Sequence, residues 1–233
     1  MDILLVPGLW LDASSWEAVA PALESAGHRP VALTMPGTGA DAEHSAGIGI
    51  ADWIDAVVAR IDASDDPVVL VGHSGGGNVV WGAADARPGR VARVILVDTA
   101  LPPTGGIISE FPVIDGVIPF PGWTFFDEPD VADLDPQTRS AAAAFTASVP
   151  SRVPTDPVEL RDERRFSVPV TVLAGSADQA AFLAMLTEWP AAAEEFARVA
   201  DSEVVRLASG HWPQFSQPER LGAAIAAAVD RTA

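Results

Sequence analysis

The sequence predicts an α/β fold, a mostly parallel central sheet with helices on both faces. Two patterns carry that prediction. Short, almost wholly apolar runs such as Pro67-Val68-Val69-Leu70 and Val91 to Val97 recur along the chain, as strands buried on both faces require. Between them lie segments whose apolar residues fall at helical spacing, and this alternation marks βαβ units.

Taken in order, Asp2 to Val6 is the first strand. Ser14 and Glu17 stand at capping-box spacing and predict a helix that ends by Gly27. Pro30 to Thr34 is the next strand, closed by the turn Pro36-Gly37-Thr38-Gly39. Ile54, Val57, Val58 and Ile61 recur at i, i+3, i+4 and i+7, the mark of an amphipathic helix laid on a sheet. The strand ending near Val71 runs into a helix-compatible stretch from Gly75 to Arg87, and Val91 to Val97 is the strand after it. Val168 to Ala174 and Glu203 to Leu207 are the last two strands. Leu221, Ala224, Ile225, Ala228 and Val229 give the final helix, starting near Pro218, with Ser216 and Glu219 again at capping-box spacing.

Residues 99–166 break this rhythm. They are rich in proline and carry Phe111, Phe120, Trp123, Phe125, Phe126 and Phe145 between two core strands. They are expected to fold as a small lid over the C-terminal edge of the sheet. The organisation predicted is one domain, 1–233, with a lid insertion.

Composition narrows the function. A chain of 233 residues with 48% hydrophobic content fills one substantial core. Cysteine is absent, which excludes disulfides, thiolate metal sites and a cysteine nucleophile. Neither a His-x-x-x-His pattern nor a carboxylate cluster points to a metal, and no cofactor is expected. The formal net charge of −18 argues against nucleic acid and anionic membranes as partners. Neither a long apolar run nor a signal-peptide pattern is present, so no membrane span and a cytoplasmic location are expected.

The chemistry is concentrated at Gly72-His73-Ser74-Gly75-Gly76. This fits G-x-S-x-G, a sharp strand-to-helix turn that lifts a serine hydroxyl above the end of a sheet. Glycines on either side of Ser74 let backbones approach without a Cβ clash. A serine hydroxyl needs a base, and the base needs an orienting acid. Of the four histidines, His28 falls at a helix-to-strand turn and is expected in solvent, and His44 lies in a polar loop. His73 precedes the serine with its side chain expected to point away. His211, in Ser209-Gly210-His211-Trp212-Pro213 after the last strand, is therefore the candidate base. For the acid, Asp178 and Asp98 both follow strands. Asp178 is favoured because its loop follows the lid-like insertion and completes the chain order Ser, Asp, His, and Asp98 is read as a turn residue. Backbone N–H groups of Gly75 and Leu9 are the expected oxyanion donors.

These motifs resemble the α/β-hydrolase superfamily, in particular the small esterases that include plant methylesterases and hydroxynitrile lyases. The resemblance runs through Leu4 to Trp16, the serine turn, Val168 to Asp178, and Gly210-His211-Trp212-Pro213. It implies an α/β-hydrolase fold and a Ser-His-Asp triad. Pro7 stands where the family usually has histidine in the oxyanion loop, but the expected donor, Leu9, keeps its N–H. Lyases of this type carry a lysine after the histidine. Here that position is Trp212 and the chain has no lysine, so the resemblance points to ester cleavage.

The function expected is hydrolysis of a carboxylic ester, thioester or lactone through an acyl-enzyme, on a small apolar or aromatic substrate. Trp10, Phe125, Phe126 and Trp212 are the candidate substrate-binding residues. Two alternatives remain open: non-hydrolytic chemistry on the same triad, by a lyase or a cofactor-free perhydrolase, and a slow-turnover ligand-binding role.

Overall fold

The computed structural model describes residues 1–231 and is organised by one six-stranded, all-parallel sheet in the order β2-β1-β3-β4-β7-β8. The strands are β1 (Asp2–Val6), β2 (Arg29–Ala32), β3 (Val68–His73), β4 (Val91–Val97), β7 (Val170–Ala174) and β8 (Ser202–Arg206). A separate antiparallel pair, β5 (Val117–Ile118) and β6 (Val149–Pro150), lies in the segment between β4 and β7. β1 and β4 have the bounds expected from the sequence. The other predicted strands shift by one or two residues, because their ends hold polar or proline residues that the apolar pattern does not resolve.

Strand periodicity divides the core into two layers. Leu4, Val6, Val68, Leu70, Val94 and Leu96 face one side with Val57, Ile61, Val80 and Trp81. These come from α3 (Ile50–Asp62) and α4 (Gly76–Ala86). Ile3, Leu5, Val69, Val71, Ile95 and Val97 face the other side with Leu23, Leu221, Ile225 and Val229. Those belong to α1 (Ala20–Ser25) and α10 (Pro218–Asp230). β3 is buried along its whole length and lies between β1 and β4, in register Leu5↔Val71 and Val71↔Ile95.

Both predicted capping boxes are corrected. Asp12 caps a short 3-10 turn, Ala13–Trp16, by accepting from Ser14 N–H at 2.8 Å, and α1 begins only at Ala20 with a proline in its first turn. Ser216 belongs to α9 (Pro213–Ser216), and α10 starts at Pro218 without a side-chain cap. In both places proline, with its fixed φ and missing N–H, sets the helix start.

The segment between β4 and β7 also holds α5 (Glu128–Val131) and α6 (Pro136–Ala142). It is stitched to the loops beyond the C-terminal ends of β1 and β2. Leu11 bridges Thr146, Ala147 N–H donates to Trp10 O at 2.7 Å, and Gly39 N–H donates to Ser148 O at 2.8 Å. The short helix α2 (Ala42–Ser45) follows β2. After β7 come α7 (Gln179–Leu186) and α8 (Pro190–Ala197). Among the described residues no helix is long and apolar enough to cross a membrane.

A buried ionic cluster ties this periphery to α4. Arg165, about 5% exposed, donates to Glu195 at 2.8 and 3.2 Å and to Asp85 at 3.2 Å. Trp81 Nε1 donates to Glu195 at 2.8 Å. Asp85 also accepts from the N–H groups of Arg161 and Asp162. Removing one partner from such a cluster leaves an uncompensated buried charge. Glu195→Ala is expected to lower the unfolding free energy by about 3–5 kcal/mol, read as a fall in the urea midpoint. Asp62→Ala, which breaks the exposed Arg87–Asp62 pair, should cost no more than ~1 kcal/mol. Comparable losses from the two variants would contradict this account.

Candidate active site

The turn after β3 is set by two close backbone approaches. A Cβ on Gly72 would lie 2.5 Å from Gly76 O, and one on Gly76 would lie 2.6 Å from Pro7 O and 2.8 Å from Val6 O. Only glycine permits either contact. The chain therefore reverses sharply, and Ser74 adopts φ +50°. That left-handed conformation costs an L-residue about 1–2 kcal/mol. Ser74 N–H donates to Val97 O at 3.1 Å, and Ser74 O accepts from Gly77 N–H at 2.9 Å as α4 begins. Among the described residues the other non-glycine positions with positive φ are Trp10, Asp98, Asp115 and Ala208. Asp115 is in the turn before β5. The other three lie just beyond the C-terminal ends of β1, β4 and β8. Backbone strain is thus gathered around Ser74, as is common at functional sites.

His211, on the loop between β8 and α9, is held by Asp98. Nδ1 lies 2.6 Å from Asp98 Oδ2, and Asp98 Oδ1 accepts from Gly175 N–H at 2.7 Å. An ionised carboxylate only accepts, so Nδ1 carries a proton, and in the neutral form of the ring Nε2 holds the lone pair. Burial pushes the Asp98 carboxyl up. The hydrogen bond and charge of His211, with the Gly175 N–H, outweigh it and hold Asp98 below the usual carboxylate range.

The structure thus places Asp98 against His211, and not Asp178 as the sequence suggested. Asp178 is exposed and is the N-cap of α7, its carboxylate accepting from Ala181 N–H at 2.9 Å. Its side chain is engaged by the helix end behind it. Asp98 directly follows β4, the strand next to β3, whereas β7 is one strand further away. Asp98 is also not a local turn acceptor, since its partners come from residues 175 and 211.

His73 lies beneath the same loop with its ring centroid 5.0 Å from that of His211. Nε2 lies 2.7 Å from His211 O, and Nδ1 lies 3.3 Å from Gln214 Nε2. These partners fix one tautomer, with Nε2–H donating to the carbonyl and Nδ1 accepting from the amide. Burial, helped by the charge of His211, pushes the His73 pKa down to about 3. His28 is not in solvent as expected: its side chain is only 10% exposed, with Asp230 at 3.7 Å. His44 is exposed and pairs with Asp41.

Ser74 and His211 open onto one cavity of about 270 Å³. Its walls include Trp10, Phe125, Phe126 and Trp212, the four candidate substrate-binding residues, and also Leu9, Ile108, Ser109 and Phe111. Trp10 meets Phe111 edge-on at 4.8 Å, and Phe126 meets Trp212 at 4.5 Å. Phe111 was visible in the sequence only as one aromatic among several. The Leu9 loop rests against the serine turn: a Cβ on Gly8 would lie 3.0 Å from Ser74 Cβ. Among the described residues, the N–H groups of Leu9 and Gly75 have no protein acceptor. A second cavity, also about 270 Å³, touches the other side of His211 and is lined by Asp98, Asp130, Phe182, Met185 and Trp189.

The fold that carries this site is matched by comparison with known proteins. A family model described as alpha/beta hydrolase family aligns with residues 3–224. The chain belongs to the alpha/beta hydrolase family. Within it the chain is similar to esterases related to plant methylesterases. It is 38% identical to esterase PIR7B of Oryza sativa subsp. japonica over 107 residues, covering 44% of this chain and 40% of that protein. It is 34% identical to Methylesterase 8 of Arabidopsis thaliana over 104 residues, covering 43% and 38%. The chain thus spans about two-fifths of the length of these curated relatives. An extracellular alpha/beta-hydrolase from a Paenibacillus species has the same fold, with TM-score 0.78 and 19% identity over 98% of both chains.

The state of His73 has a consequence for stability. Its folded pKa is depressed below the unfolded value near 6.5, so the unfolded chain binds the extra proton between those limits. Stability is full above pH ~6.5 and is lost as pH falls toward 3, by roughly 2–3 kcal/mol at pH 4.5. His73→Gln, which retains a donor toward His211 O, should flatten that limb in thermal melts between pH 7 and 4.5. Parallel pH–stability curves for the two proteins would show that His73 is not the group responsible.

Proposed function

We propose that this protein is a serine hydrolase that cleaves a carboxylic ester, thioester or lactone through an acyl-enzyme. The observation that carries the reading is the 2.6 Å contact between His211 Nδ1 and Asp98, behind a histidine that shares its cavity with Ser74. Ser74 is the nucleophile. His211 Nε2 takes its proton as the hydroxyl attacks the carbonyl carbon. Asp98 holds the imidazole in the required tautomer and stabilises its charged form. The N–H groups of Leu9 and Gly75 receive the oxyanion. His211 then returns the proton to the leaving oxygen or sulfur and activates water to release the acid.

The insertion serves as a lid, and the cavity supports a small, neutral, apolar or ring-bearing substrate. Its lining contains no Asp, Glu, Lys or Arg side chain. Trp10, Phe111, Phe126 and Trp212 supply edges and faces for apolar contact.

Three variants test the machinery. Ser74→Ala should fold normally and lose ester hydrolysis by on the order of 10³-fold or more. A folded Ser74→Ala protein with near-wild-type turnover would sink the mechanism. Asp98→Asn should lower kcat by a comparable order, because the amide no longer fixes the His211 tautomer. Asp178→Asn should leave kcat within about threefold, since asparagine caps a helix as well as aspartate does. A larger loss from Asp178→Asn would return the acid role to that residue.

A further inference from the structure

The His211 loop is short, and over residues 208–211 five of its main-chain polar groups are held by partners outside the loop. Ala208 O accepts from Gln217 Nε2 at 3.0 Å, and Ser209 N–H donates to Gly175 O at 3.1 Å. His211 O accepts from His73. These three partners belong to the central scaffold. The remaining two belong to the insertion. Gly210 N–H donates to Asp133 Oδ2 at 2.8 Å, and His211 N–H donates to Asp130 O at 2.9 Å.

The fit between loop and insertion is close. A Cβ on Gly210 would lie 2.4 Å from Asp130 O and 2.4 Å from Asp133 Oδ1. The bare glycine therefore lets the turn after α5 press against the loop, main chain to main chain. Next to it Trp212 meets Trp123 edge-on at 5.2 Å, a second contact between the loop and the insertion.

We propose that Asp133 is a positioning residue: with the Asp130 carbonyl it clamps the His211 loop, so that docking of the insertion and correct placement of His211 are one event. The inference rests on the hydrolase reading above for its kinetic consequence, but the clamp itself is a contact between two segments. When the insertion is docked, the loop N–H groups are held and His211 stays on Asp98. When it lifts, Gly210 and His211 lose both acceptors together, and Ala208, at φ +52°, has less to hold it in that strained conformation. The same movement that uncovers the cavity thereby disarms the histidine. The Asp133 carboxylate is not a catalytic residue, because it lines neither cavity that touches His211.

The test compares Asp133→Ala, Asp133→Asn and Gly210→Ala in the full chain. Asp135→Ala serves as a control, removing a helix cap in the same insertion that makes no contact with the loop. Two quantities are read: kcat and KM for a p-nitrophenyl ester, and hydrogen–deuterium exchange of the peptide covering residues 208–212. Asp133→Ala should lower kcat about tenfold with KM within about threefold, because a charge-assisted hydrogen bond is lost from the loop and not from the substrate. Exchange of that peptide should speed up. Asp133→Asn, which still presents an oxygen, should recover most of both. Gly210→Ala attacks the contact from the loop side and should reproduce Asp133→Ala, which keeps the test decisive if either variant folds poorly. Asp135→Ala should leave both readouts near wild type.

Wild-type kcat and exchange in Asp133→Ala or Gly210→Ala would overturn the clamp. So would an Asp133→Asn protein as impaired as Asp133→Ala. Failure of the hydrolase reading is distinguishable, since it would show as turnover surviving Ser74→Ala while the exchange measurement, which needs no activity, still reports on the loop.

Discussion

The site depends on one place where backbone packs on backbone. Gly76, at the start of α4, lies so close to Val6 and Pro7 that a Cβ would sit within 2.6–2.8 Å of their carbonyl oxygens. That contact seats the N-terminus of α4 against the end of β1. It forces the reversal at Ser74, and it brings the Leu9 loop beside the serine turn. A side chain at Gly76 would push these segments apart and separate the proposed nucleophile from its proposed oxyanion donors at once. The strain at Ser74 is tolerated because β3 is buried along its whole length and hydrogen-bonded on both sides.

From that contact the remaining parts follow by strand order. β4 lies next to β3, so a residue at its C-terminal end is the nearest carboxylate the sheet offers. The loop after β8 reaches across the end of β7 to that carboxylate, and the Gly175 N–H at the end of β7 supplies the second hydrogen bond to it. Asp98 is largely buried, and a carboxylate in that position is stable only with its oxygens satisfied. One is met by His211 and the other by Gly175. The same two contacts that align the histidine therefore keep the acid ionised.

What was legible in the sequence was what local pattern encodes. The bounds of β1 and β4, the serine turn, His211 and four of the aromatic wall residues all follow from short stretches whose neighbours determine them. The carboxylate partner of His211 was not legible in this way. Asp98 and Asp178 both end apolar strands, and nothing within a few residues of either states which one meets His211. One signal was present. Asp178 precedes Gln179-Ala180-Ala181-Phe182, a helix start that needs a cap, whereas Asp98 precedes Thr99-Ala100-Leu101-Pro102, which has no helix to cap. A carboxylate already engaged by its own helix is a poor candidate for a distant partner. The capping boxes failed for a related reason: Pro21 and Pro218 fix the helix starts more firmly than the serines before them. Contacts that span more than a hundred residues, such as Asp98 to His211, have no local signature.

The charge of the chain sets a further demand on the proposed chemistry. A net charge of −18 opposes the build-up of negative charge on the carbonyl oxygen of an ester attacked by Ser74. Over a distance greater than about 8–10 Å, salt screens that opposition at physiological ionic strength, so the outcome is decided by groups nearby. The cavity walls contain no carboxylate, and Asp98 faces the nucleophile only through the imidazole. α4 begins at the serine turn and carries no acidic residue in its first turn, so the positive end of its dipole is not cancelled where it is needed. Asp85, the one acid of that helix, is near its other end, where Arg165 pairs with it. The proposed oxyanion is thus compatible with an acidic protein, because among the described residues no carboxylate lines that cavity and α4 begins at the serine turn, where the N–H groups of Leu9 and Gly75 are unpaired.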